Sequence, residues 1–88
     1  MSIERLFTSK VVEDSKYLDS KSFSALSPKM KLAAEDTFNL IERQINKQSG
    51  NIIKVFENSV EKVAEHSKIN KEELYQYFDK EVEEQLGE

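Results

Sequence analysis

No cysteine occurs in the 88 residues, so neither a disulfide framework nor a thiolate metal site is open to this chain. Nothing in it calls for an oxidising compartment. Only two glycines and one proline interrupt it, and that scarcity of breakers favours long helices over a turn-rich β fold. No apolar run approaches the roughly 18 residues of a membrane span. The opening Met1-Ser2-Ile3-Glu4-Arg5 is followed by no apolar signal core. The expectation is a soluble, cytoplasmic protein without a membrane partner.

A chain of this length builds one apolar core, so residues 1–88 are read as a single domain. Domains of this size bury only about 60% of the surface their unfolded chains expose, which leaves a thin margin of stability. Hydrophobic residues make up 38% and charged residues 34%, drier than a disordered tail and wetter than an average domain. The net charge of −4 conceals an asymmetry. Met1 to Phe56 carries nine basic and seven acidic residues, whereas Glu57 to Glu88 carries four basic and ten acidic. The C-terminal third is therefore an acidic pole that repels a phosphate backbone. Lysine outnumbers arginine eleven to two, so donors for bidentate phosphate or guanine contacts are few.

The spacing of apolar residues predicts an all-α fold, a small three- to four-helix bundle with helices over about 3–13, 28–48, 52–67 and 71–86. In the first, Ile3, Leu6, Phe7 and Val11 share a face and Ser2 can cap it. Residues 14–27 are rich in Ser, Asp and Lys, and read as a loop with one helical turn, pinned by Tyr17, Leu18, Phe23 and Leu26. Ser27-Pro28 is a start signal: a serine cap, then proline where a missing N–H costs nothing. The helix that follows places Met30, Ala33, Ala34, Thr37, Phe38, Leu40, Ile41 and Ile45 on one broad arc, with Leu32 opposite and Gly50 as the stop. Asn51 caps the third helix, whose stripe is Ile52, Val55, Phe56, Val60, Val63 and Ala64. Asn70 and Glu73 have capping-box spacing at the head of the fourth, flanked by Ile69 and Leu74 as a hydrophobic staple. Leu74, Phe78, Val82 and Leu86 then recur every four residues up to Gly87.

Catalytic chemistry is thinly supplied. The one histidine, His66, sits at the edge of the third helix's apolar face, where a boundary residue is the commoner outcome than a base or ligand. No Glu-x-x-His pair, Gly-rich phosphate loop, Walker lysine, nucleophile elbow or calcium loop occurs. The reading is no enzyme, no metal site and no cofactor.

One segment bears a resemblance. Ser59 to Phe78 resembles the helix-turn-helix of TetR-type repressors over about twenty residues: Val63 and Ala64 as the apolar pair of the first helix, Ile69 in the turn, Asn70 as the polar cap. The run Leu74-Tyr75-x-Tyr77-Phe78 matches the aromatic-rich second helix. The resemblance implies DNA reading by Asn70, Lys71, Glu72, Tyr75 and Gln76. It departs from the pattern at Lys68, where glycine is usual, and in the acidity of Glu72, Glu73 and Asp79 around the reading face. Two capped amphipathic helices joined by a short turn also produce this pattern from packing alone. The tyrosines separate the geometries. A plain helical wheel groups Tyr75 with Val82 and Leu86 and moves Tyr77 toward the polar side, while the helix-turn-helix buries Tyr77 and leaves Tyr75 outside.

Two functions follow as expectations. The first is a non-catalytic protein-binding regulator, a small acidic adaptor or inhibitor of the kind phages and mobile elements use. Glu57, Glu61, Glu65, Glu83 and Glu84 would meet a basic protein surface, with Leu32 as an exposed apolar contact. The row Glu57, Glu61, Glu65 has a plainer reading as a solvated face. The alternative is a helix-turn-helix transcriptional regulator that binds DNA, with lysines earlier in the chain on the phosphates. Self-association into a homo-oligomer is compatible with either.

Overall fold

The structure, a computed structural model, describes residues 2–8, 16–47 and 51–87, with the backbone alone at 2, 4, 8 and 45–47. Among these residues there are five α-helices, one 3-10 turn and no strand: α1 (Ser2–Thr8), the 3-10 turn Lys16–Asp19, α2 (Lys21–Ser24), α3 (Pro28–Lys47), α4 (Ile52–Ser67) and α5 (Lys71–Leu86). The three long helices fall where the apolar spacing places them. The expected extension of the first helix to residue 13, the helix stop at Gly50 and the contacts of Val11 and Ile45 lie outside what is described. No described helix is long and apolar enough to cross a membrane.

Local chemistry accounts for the helix ends. Ser27 Oγ accepts the Met30 N–H at 3.3 Å ahead of Pro28, and Asn51 Oδ1 accepts from Ile53 and Lys54. Asn70 Oδ1 accepts the Glu72 N–H at 2.8 Å. The reciprocal half of the expected capping box is missing: Glu73 is exposed and makes no return bond to Asn70 among the described residues. Without it the cap satisfies only part of the orphan N–H set. α5 ends on Gly87 in the left-handed conformation, as the sequence predicts. α4 ends on Lys68 in that same conformation (φ 57), and the N–H of Ile69 bonds to Ala64 O at 3.0 Å. This closes a Schellman turn on a residue that has a Cβ.

α3 and α4 form the most extensively packed pair, and α5 packs on both, with α1 against α4 and α5 and α2 against α3 and α5. Small residues permit the close approach: Ala33 and Ala34 on α3 and Ala64 on α4 are almost wholly buried. Thr37 is fully buried as well, its hydroxyl satisfied by Ala33 O at 2.8 Å. All eight aromatic side chains join one continuous set of ring contacts. Phe38 is at its centre, stacked on Tyr17 at 3.8 Å and edge-on to Phe78 at 5.1 Å. Each fully buried side chain of this class contributes about 1.5–3 kcal/mol, with about 0.5–1.5 kcal/mol more from each well-placed ring pair. The aromatics therefore anchor a core that a chain of this length otherwise fills thinly.

Residues 16–27 form more structure than a loop with one turn. Tyr17 and Phe23 are buried and Leu26 is partly buried, as expected, but Leu18 is 41% exposed and is not an anchor. A short 3-10 turn directs only one of two adjacent residues inward, and Tyr17 takes that place by stacking on Phe38.

The acidic third does not lie wholly in water. Glu81 is fully buried. It occupies the same face of α5 as Leu74, Tyr77, Phe78 and Val82, a position where the four-residue rhythm registers no apolar residue. Its Oε2 receives the Ser20 hydroxyl at 2.8 Å, and its Oε1 receives the Gln85 amide at 2.8 Å. Ser20 Oγ also lies 2.9 Å from Tyr17 O and accepts the Phe23 N–H at 3.0 Å. The α2 segment is thus fixed to the C-terminal helix, 61 residues away in sequence, by a buried polar knot.

Candidate protein-binding groove

A groove of about 540 Å³ lies between α4 and α5, with α1 contributing to its wall. Its floor is apolar: Ile3 from α1, Ile53 and Phe56 from α4, and Tyr75 from α5. Its rim is charged: Glu57 and Glu61 from α4, and Lys71 and Asp79 from α5. Helical periodicity sets these positions, since Ile53, Glu57 and Glu61 stand four apart on α4, and Lys71, Tyr75 and Asp79 four apart on α5. Tyr75 lies edge-on to Phe56 with ring centres 5.6 Å apart. Burial, and then the charges of Glu61 and Glu57, raise the Tyr75 pKa. Its hydroxyl therefore remains a hydrogen-bond donor at the groove.

The electrostatics are one-sided. The single cation on this rim, Lys71, already lies 3.5 Å from Glu61, with both side chains 54% exposed. An exposed pair of that length is worth roughly 0–1 kcal/mol and yields readily to a competing partner. Glu57 and Asp79 face the groove without a cationic partner among the described residues. A second depression, of about 410 Å³, adjoins the first through the shared residues Glu61 and Lys71 and adds Ala64, Glu65 and Ile69. Along the row, Glu57 lines the first hollow, Glu65 the second and Glu61 both.

The other residues singled out from sequence are dispersed. Glu83 is exposed on α5, outside these hollows. Glu84 is engaged within the molecule: its carboxylate receives the Lys21 N–H at 2.7 Å, the Ser22 N–H at 2.8 Å and the Ser22 hydroxyl at 2.8 Å. Desolvation of Glu84 is outweighed by these bonds and the Lys21 charge, so its pKa is lowered. Leu32 is 63% exposed on α3, as expected. Ile3, Ile53 and Asp79 belong to the groove and were not singled out. Ile53 carried the one available signal, an apolar residue one position off the α4 stripe.

The residues of the helix-turn-helix resemblance are all accounted for. Asn70 caps α5, Lys71 faces Glu61, Tyr75 packs on Phe56, and Glu72 and Gln76 are exposed. Tyr77 is 2% exposed whereas Tyr75 is partly exposed, which corrects the plain helical wheel. The wheel fails because α5 packs on α2 and α3 as well as α4, and Tyr77 meets Phe23 of α2 and Phe38 of α3. The Tyr77 hydroxyl is buried with no well-formed hydrogen bond among the described residues. Burial, reinforced by the nearby Glu81 charge, moves its pKa far above the ordinary 10.0.

His66 is exposed, and no cluster of three or more metal-ligating side chains occurs among the described residues. No protein-family model, curated protein or solved structure matches the chain.

Proposed function

We propose that this chain is a non-catalytic protein-binding regulator, an acidic adaptor or inhibitor, that receives a basic amphipathic segment of another protein in the groove between α4 and α5. The observation that carries the reading is the pairing of an apolar floor (Ile3, Ile53, Phe56, Tyr75) with a carboxylate rim (Glu57, Glu61, Asp79). A helix presenting one apolar edge flanked by lysine or arginine complements both features. The apolar floor supplies most of the affinity, and the carboxylates steer encounter and fix register. The test is titration of the labelled chain with a Leu/Lys amphipathic helix and with a peptide of equal charge lacking the leucines. The first is expected to shift groove residues saturably and the second to bind weakly. Double charge reversal, Glu57→Lys with Glu61→Lys, should weaken binding at least about tenfold, or about 1.4 kcal/mol. Equal binding of both peptides, or indifference to the reversal, would remove the reading.

A second reading is supported by the left-handed turn at Lys68 and the burial of Tyr77, both of which the helix-turn-helix resemblance requires. In it the chain is a DNA-binding transcriptional regulator that reads bases with Asn70, Lys71, Glu72, Tyr75 and Gln76. Its weakness is charge, because Glu72, Glu73 and Asp79 on α5 are exposed where phosphates demand cations. An electrophoretic shift series in salt separates the two readings: no shift at low salt eliminates DNA binding, and a sequence-specific shift reverses the ranking.

A further inference from the structure

Away from the acidic groove, the face shared by α3 and α4 holds a depression of opposite character. Its α3 side is the stripe Asp36, Asn39, Leu40 and Arg43, and its α4 side is Lys62, Val63 and His66. The volume is about 320 Å³, at the lower end of small-ligand sites. Leu40 and Val63, both packed into the core, form an apolar base. Asn39, Arg43, Lys62 and His66 stand around it exposed, each bringing N–H donors. In a chain with seventeen acidic residues, neither Arg43 nor Lys62 has an ion-pair partner among the described residues. Arg43 is one of only two arginines. The single carboxylate, Asp36, lies seven residues from Arg43 on the same stripe, about 10 Å along the helix, and forms no ion pair with Arg43 or Lys62 among the described residues.

We infer that this depression binds a small organic phosphate monoester, with the phosphoryl group at Arg43 and Lys62 and an apolar body over Leu40 and Val63. The guanidinium fork matches phosphate oxygens two at a time, and the lysine supplies a point charge. Two cations with no carboxylate paired to them match a phosphoryl group's near-double charge and three terminal oxygens better than a carboxylate's single charge. An apolar floor distinguishes the site from a bare anion patch, because it favours a ligand with a hydrocarbon portion over free phosphate. The inference stands independently of the α4/α5 groove, with which it shares no residue.

Phenyl phosphate and inorganic phosphate are the probes, titrated separately into the isotope-labelled chain and followed by amide chemical shifts. Saturable shifts are expected along Asn39 to Arg43 and Lys62 to His66, with phenyl phosphate binding several-fold tighter than inorganic phosphate. Arg43→Ala and Lys62→Ala, both at exposed positions, should each weaken phenyl phosphate at least roughly tenfold, the scale of one lost charge-assisted contact. Lys80→Ala, an exposed lysine elsewhere on α5, should leave affinity unchanged. Equal affinity of the two probes, or no loss in both Arg43→Ala and Lys62→Ala, overturns the inference. So does a short DNA duplex that shifts these residues and that phenyl phosphate fails to displace, because the face would then be a nucleic-acid contact.

Discussion

Replacing Glu81 by glutamine and by alanine separates the shape of this buried side chain from its charge. The carboxylate is fully buried, accepts two hydrogen bonds of 2.8 Å and has no cationic partner among the described residues. Hydrogen bonds to a charged acceptor contribute about 1.5–3 kcal/mol each, while burying the ion costs several kcal/mol. The two nearly cancel, so the negative charge adds little net stability. Glutamine preserves both contacts. Its carbonyl accepts from Gln85, and its amide donates to Ser20 Oγ, which frees the one serine proton for Tyr17 O. Glu81→Gln is therefore expected to lie within about 1 kcal/mol of the parent. Glu81→Ala removes both bonds and leaves unfilled volume. Ser20 retains Tyr17 and Phe23 as partners and Gln85 is only half-buried, so no group is fully orphaned. The expected loss is about 1–3 kcal/mol. Urea titrations followed by helical circular dichroism give both values, and amide exchange at Phe23 reports the docking of α2. If glutamine proved as damaging as alanine, the charge itself would be required and the argument from shape would be wrong. Parent-like stability in Glu81→Ala would instead show that the polar knot does not hold the segment.

Three further outcomes are expected. Lys68→Gly relieves a Cβ in the left-handed region and should raise stability by about 0.5–1 kcal/mol, read as a rise in thermal midpoint of a few degrees. Tyr77→Phe deletes a buried hydroxyl that lies near Glu81 without a well-formed hydrogen bond, and should cost less than about 1 kcal/mol at neutral pH. With the folded Tyr77 pKa raised by burial, the parent's stability contribution is complete below about pH 10 and is lost as pH rises above it. An alkaline stability profile should therefore fall less steeply in Tyr77→Phe. Glu84 has the opposite sign: its folded pKa is lowered, so its contribution is present above the ordinary 4.5 and lost as pH falls through the folded value. Exchange protection of the Lys21 and Ser22 amides should decline over that acid range, and in Glu84→Ala it should be low at every pH.

The floor and rim of the groove were unequally legible. Glu57, Glu61 and Glu65 announce themselves as a row because one helix carries all three. Their relation to Asp79 depends on how closely α5 approaches α4, and Ile3 arrives from the far end of the chain. Lys71 illustrates the same limit: the helix-turn-helix resemblance implied a DNA contact, and the fold sets it against Glu61. Glu81 and Glu84 counted as surface charge from sequence, yet they receive Ser20, Lys21 and Ser22 from about sixty residues away.

Periodicity, caps and the shortage of breakers determined the three long helices and most of their buried faces, because these are local properties of bonds and turns within a few residues. The burial of Tyr77, the internal use of two glutamates and the opposite characters of the α4/α5 groove and the α3/α4 depression were decided only by tertiary structure. Each depends on which second helix covers a given face, and that choice is made by side chains distant in sequence competing for one small core.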